Sequence, residues 1–227
     1  MRETDVADRK GFRQAAAVAA WLAKNSTEVG SVWASPLRRA QRTVEPIAAA
    51  FGLAVQTDAR LRERMNWNEE SEISLEGFLA EWQRASSDRT YRPTVGDSSS
   101  DAAERFIAAL AAIGRTTRKE TVVVVAHGGV TVDSLRTVAG GPAVNDASAD
   151  LVENCVPCGA ITRLQVDGDV VSVNVYPSIS HVDEEHTTGP RNRRLVFRAN
   201  NVSGRVPGRR SERSRRPDRR WGHVRGL

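Results

Sequence analysis

TVVVVAHGG, residues 121–129, is the stretch that decides the fold. Four consecutive valines flanked by Thr121 and Ala126 carry no polar alternation, and β-branched side chains that are stiff at χ1 suit a pleated strand. A strand without alternation is one covered on both faces, the signature of a parallel strand between helical layers. His127-Gly128-Gly129 follows at once, a tight glycine turn that opens a helical stretch running to about Val138. Strand, glycine turn and helix start make the repeating unit of an α/β sheet.

Working outward, the neighbouring segments extend this pattern. Residues 11–24 place Ala, Val, Trp and Leu at helical spacing, with Asp8 as the expected cap. Residues 31–34 read as a short buried strand. Pro36 stands where a helix favours its first residue, and Leu37, Ala40, Val44, Ile47 and Ala48 form an apolar face that ends near Gly52. Residues 53–56 read as another strand. Residues 74–86 and 98–114 are amphipathic helices joined by a loop that closes with Gly96-Asp97-Ser98-Ser99. Residues 161–166 and 170–176, separated by Asp167-Gly168-Asp169, read as a β-hairpin near the sheet edge. The order predicts a three-layer α/β/α sandwich with a mostly parallel sheet.

Composition narrows the class further. The 227 residues are 40% hydrophobic and 27% charged, enough for one sizeable domain or two small ones, and no apolar run approaches the roughly 18 residues of a membrane span. Charges run through Met1 to Lys10 without an apolar stretch, so a cytoplasmic protein is expected. Aromatics at 5% leave the core to Ala, Val, Leu and Ile. The net charge of +5 conceals an asymmetry: residues 191–227 hold 13 Arg against Glu212 and Asp218, whereas residues 1–190 hold 20 basic and 26 acidic side chains. Residues 1–190 are therefore read as the domain and 191–227 as an Arg-rich disordered tail. Arg outnumbers Lys by 30 to 3, a bias that a GC-rich gene would also produce. With Trp221 alone and no interleaved aromatics, the tail suits nonspecific contact with nucleic-acid phosphates better than a specific site.

In an open α/β sheet, ligands lie at the carboxyl ends of strands, where helix N-termini present N–H groups to anions. His127, after the valine strand, is expected beside free amides at such a helix start. Arg39, in Ser35-Pro36-Leu37-Arg38-Arg39-Ala40, is expected in the first turn of a helix at a similar sheet edge. A histidine and a guanidinium converging on helix N-termini form an anion pocket, most economically one for phosphate.

With their flanks these residues become specific. Gly11-Phe12-Arg13-Gln14-Ala15 is similar to a GxxQA helix start, and Ser35-Pro36-Leu37-Arg38-Arg39-Ala40-Gln41-Arg42-Thr43 to an SPLxRAxxT phosphate-site motif. Leu61-Arg62-Glu63-Arg64-Met65 is similar to an LxER segment, Gly96-Asp97-Ser98 to a GES or GDS turn, and residues 123–129 to a strand ending in HGG. In this order, across 11–181, the chain resembles the histidine phosphatase superfamily, the phosphoglycerate-mutase-like phosphatases. The resemblance implies hydrolysis of a phosphorylated small molecule through a phosphohistidine, with neither metal nor other cofactor. It implies that Arg39 clamps the phosphate, that His127 with Gly128 stabilises the phosphoryl group in transfer, and that Glu63 protonates the leaving alcohol. It also implies hydrolysis rather than mutase chemistry.

One expected part is missing. The resemblance implies a nucleophilic histidine in an Arg-His-Gly motif that ends a first strand lying beside the valine strand, and no histidine precedes His127 in this sequence. The domain is thus read as N-terminally incomplete and inactive as written, a fragment rather than an evolved pseudoenzyme. The alternative is a non-catalytic phosphate-binding or regulatory domain. His181 fits a late position of the pattern, while His186 and His223 fall in or near the tail. Cys155-Val156-Pro157-Cys158 has redox spacing, yet it precedes a strand and has no second cysteine pair, so it is read as structural.

Overall fold

The computed structural model describes residues 3–26, 28–68, 70–117, 120–147, 151, 155–181 and 202–205. Helix α1 (Glu3–Asn25) begins earlier than its apolar spacing suggests, so position 8 lies within it and is not its first residue. Strand β1 (Val29–Ala34) leads through a turn into helix α2 (Arg38–Phe51). Pro36 is outside that helix, because Leu37 is the extended N-cap residue and its N–H donates to Ser35 Oγ at 3.3 Å. Gly52 ends α2 in the left-handed conformation at φ 66°, which only glycine adopts without strain. Strand β2 (Val55–Thr57) follows, then a 3-10 turn at Ala59–Leu61.

Helices α3 (Leu75–Ser87) and α4 (Ser99–Thr116) start where serine caps them. Ser74 Oγ accepts the Gly77 N–H and Ser98 Oγ the Asp101 N–H. Strand β3 (Thr121–Val125) precedes helix α5 (Gly128–Val138) and a short helix α6 (Gly141–Ala147) that the sequence pattern did not announce. Strands β4 (Ile161–Asp167) and β5 (Val170–Ser178) form the expected hairpin, with Gly168 at positive φ in its turn.

The described strands form two sheets. The first is parallel, in the order β2-β1-β3, with Val32 opposite both Val55 and Val123. Its alternation places Val123 and Val125 against Val18, Leu22, Ile47 and Val44 of α1 and α2. Val122 and Val124 face the larger core of Phe106, Leu110, Val130 and Leu135 from α4 and α5. These are the three layers of an α/β/α sandwich. Both faces of β3 are covered, yet Val122 to Val125 are only half-buried, because β3 is an edge of this sheet.

The hairpin differs from expectation. It does not extend the parallel sheet but forms a second, antiparallel one with strand β6 (Val202–Arg205), in the order β4-β5-β6. Val171 and Val173 pack into the α4–α5 core, which holds the second sheet against those helices. Val202–Arg205 is the described part of 191–227, and the rest of that tail lies outside the described residues. Among the described residues, no helix is long and apolar enough to cross a membrane.

Candidate active site

The carboxyl ends of β1 and β3 lie side by side, tied by the Ser35 N–H donating to the Val125 carbonyl at 3.0 Å. This brings the residues after each strand together. His127 is the extended N-cap residue of α5 and is nearly buried, at 8% exposure. Arg39, in the first turn of α2, donates its Nε–H to His127 Nδ1 at 3.1 Å and its Nη1–H to Asn66 Oδ1 at 2.8 Å. A guanidinium can only donate, so Nδ1 is the acceptor and the imidazole proton resides on Nε2. That Nε2–H then donates to Ser35 Oγ at 2.7 Å. Burial, followed by the guanidiniums of Arg39 and Arg105, lowers the His127 pKa to about 3, so the ring is neutral at physiological pH.

Glu63 meets the start of α5 at its backbone amides. Its Oε1 accepts the N–H groups of Val130 at 2.7 Å and Arg64 at 2.9 Å, and its Oε2 accepts the Gly129 N–H at 3.0 Å. The amides at this helix start are thus not free as expected: Glu63 supplies the side-chain cap that His127 does not. Burial raises the Glu63 pKa, while the three backbone donors and the Arg64 charge oppose that rise. Oε2, with a single donor, is the oxygen with room for a proton.

The segment carrying Glu63 is held from behind. Asp97, in the Gly96-Asp97-Ser98 turn, pairs with Arg62 at 2.9 Å and Arg105 at 2.8 Å. Arg105 also donates to the carbonyls of Arg60 at 2.5 Å, Arg62 at 3.0 Å and Glu63 at 3.4 Å. Gly96, at φ +98°, lets its backbone pass where a side chain would meet the Arg64 carbonyl at 2.2 Å. Arg64 is buried against Asp133 at 3.1 Å and lies over the Trp82 ring at 3.9 Å. Trp82 and Glu63 close over Gly129, where an added Cβ would meet Trp82 Cη2 at 2.6 Å and Glu63 Oε1 at 2.8 Å.

The predicted residues Arg39, Glu63, His127 and Gly128 thus gather at one helix start. Ser35, Asn66 and Arg105 were not singled out. Ser35 stood inside the quoted SPL motif, whereas Asn66 and Arg105 gave no sequence signal for roles set by distant contacts. Cys155, at φ 60°, comes close to Gly128, whose added Cβ would stand 3.4 Å from that of Cys155. Burial and the nearby Glu63 raise its thiol pKa, the reverse of what a reactive thiolate needs. His181 packs on Trp21 and bonds the Gly159 carbonyl at 2.8 Å.

The pattern of the histidine phosphatase superfamily (branch 1) matches residues 6–175. The chain belongs to this superfamily. Phosphoglycerate mutase-like protein 4 of Arabidopsis thaliana is 35% identical over 184 residues, covering 77% of this chain and 75% of its own. The solved complex of mycobacterial glucosyl-3-phosphoglycerate phosphatase with inorganic phosphate is similar with a TM-score of 0.57 at 23% identity, covering 76% of this chain and 87% of that one. Bacillus stearothermophilus YhfR is similar with a TM-score of 0.57 at 22% identity, covering 77% of this chain and 85% of that one. These two structures share the α/β/α fold of this member of the superfamily.

Proposed function

We propose that this histidine phosphatase domain binds the phosphoryl group of a small phosphomonoester at the Arg39–His127 pair, and that its chemistry, when a nucleophile is supplied, is hydrolysis of that ester to alcohol and orthophosphate. The observation that carries this reading is the Arg39–His127 contact at the joined strand ends, flanked by the buried Glu63. In this role the incoming dianion takes the place of Ser35 on His127 Nε2–H and accepts from the Arg39 guanidinium. The neutral ring carries its single proton on Nε2, because Nδ1 accepts from Arg39, and so donates from Nε2. Glu63, whose pKa burial raises, is in this reading the carboxyl that gives a proton from Oε2 to the leaving oxygen.

A phosphohistidine route needs a second histidine as nucleophile. His127, His181, His186 and His223 are the histidines of the sequence, and His181 is engaged elsewhere. The alternative reading is a domain that binds phosphate esters without turning them over.

Calorimetry with orthophosphate, together with p-nitrophenyl phosphate assays, tests both. Orthophosphate is expected to bind, and Arg39→Ala to weaken it by about 10- to 100-fold, the loss of charge-assisted hydrogen bonds. Absence of orthophosphate binding refutes the site. Turnover above background that disappears in His127→Ala refutes the non-catalytic alternative.

A further inference from the structure

Arg60, Arg62, Arg64, Arg105 and Arg115 each end on an aspartate. Arg39 is held differently. Its Nε–H goes to the His127 ring nitrogen at 3.1 Å and its Nη1–H to the Asn66 carboxamide oxygen at 2.8 Å, both of them neutral acceptors. Among the described residues no carboxylate forms an ion pair with it. A guanidinium bonded in this way is fixed in space with its charge still available to an anionic ligand, whereas one joined to a carboxylate has spent that charge on its partner.

An arginine side chain is among the costliest to order, and a clamp that is ordered only when the ligand arrives loses affinity to that cost. The two hydrogen bonds order Arg39 beforehand. One comes from the buried His127 ring, the other from the segment that carries Glu63. That segment gives Asn66 a firm base. Arg64 is locked on Asp133 at 3.1 Å, and Met65 is 2% exposed, with its Cα 2.9 Å from where a Cβ on Gly96 would stand. On the other side the Trp67 indole N–H donates to the Ile73 carbonyl at 2.9 Å. Asn66 is thus an exposed, short side chain on a backbone tied down at both flanks.

We infer that Asn66 is the positioning residue of the phosphate clamp: its carboxamide oxygen fixes the plane of the Arg39 guanidinium without neutralising it, and through Arg39 it fixes the proton of His127 on Nε2. This rests on the phosphate-site reading above and adds a residue to that site. The effect on His127 follows from the direction of donation. While Asn66 holds Nη1, the Arg39 Nε–H stays on Nδ1, and only a ring protonated at Nε2 can accept it there. Release of Nη1 lets the guanidinium turn, and Nδ1 is then free to carry the proton instead. An alanine at position 66 removes the geometry and spares the charge. An aspartate there keeps the geometry, cancels the charge and repels an incoming dianion.

The test uses the full chain with Asn66→Ala and Asn66→Asp. Calorimetric titration with orthophosphate reads the clamp, and the NMR shifts of the His127 ring nitrogens, assigned by comparison with His127→Asn, read the tautomer in the absence of ligand. Asn66 is exposed, so folding is expected to be unchanged, with circular dichroism as the check. Asn66→Ala is expected to weaken orthophosphate binding by about 3- to 10-fold and to give ring shifts averaged between the two tautomers. Asn66→Asp is expected to keep the single Nε2–H tautomer and yet to weaken orthophosphate by about 10- to 100-fold. In a parent that binds orthophosphate, either readout left unmoved by Asn66→Ala overturns the inference while the phosphate site stands. Asn66→Asp binding as well as Asn66→Ala does the same, because sparing the charge would then have no effect. A parent that binds no orthophosphate refutes the phosphate site, and the inference with it.

Discussion

His127 bonds the Arg39 guanidinium and Ser35 Oγ, and its titration has a definite sign. Its pKa in the folded chain is about 3, against 6.5 for an ordinary histidine, so the unfolded chain takes up a proton well before the folded one does. Stability that depends on a neutral His127 is complete above pH 6.5 and is lost as pH falls from there toward 3. Glu63 has the opposite sign: its folded pKa is raised above 4.5, so its contribution is present in acid and fades as pH rises through the folded value. Urea unfolding of the parent and of His127→Asn between pH 7 and pH 4 separates the two. The variant is expected to lose stability less steeply than the parent over this range. Parallel slopes would contradict the burial of a neutral imidazole.

At the scale of elements, the Arg64–Asp133 pair joins the Glu63 segment to α3, α4 and α5. Asp133 accepts from Arg64 and from Ser99 Oγ at 2.6 Å, while Arg64 donates to Ser86 and to the Trp82 carbonyl. Both charges are out of water, at 3% and 1% side-chain exposure. Asp133→Ala leaves a buried guanidinium without its counter-ion and is expected to cost about 3–5 kcal/mol, read as a shift in the denaturation midpoint. Legibility divides along the same line. The β3–α5 unit was plain in the sequence because β-branched residues and glycines encode local geometry, and α3 and α4 were legible from their amphipathic spacing. Glu63 as the cap of α5 was not legible, because that contact joins residues 66 and 67 positions apart. Arg105 escaped for the same reason: an arginine on an amphipathic helix looks solvated until the turn at Asp97 folds onto it. The hairpin's residues were legible, but its membership of a second sheet was not, since strand pairing is decided by tertiary contacts.

Two features belong to the whole molecule. The first is charge, with a net-acidic 1–190 and thirteen arginines in 191–227. If those arginines act as an electrostatic tether, binding of the chain to a generic RNA will weaken steeply with added salt and disappear on deletion of 191–227. Binding that survives the deletion would refute the tether. The second is the open edge of β3. In a parallel pair, alternate residues of a strand bond to one neighbour and the rest point the other way. β1, between β2 and β3, has partners on both sides, whereas β3 has β1 alone among the described strands. Native-state hydrogen exchange should therefore show every other amide of Val122 to Val125 exchanging fast and the intervening ones slowly, with the amides of Ser31 to Trp33 uniformly slow. Loss of the fast set on adding a peptide with alternating apolar residues would identify that edge as competent to accept another strand. Uniform protection across β3 in the chain alone would mean that its edge is already covered.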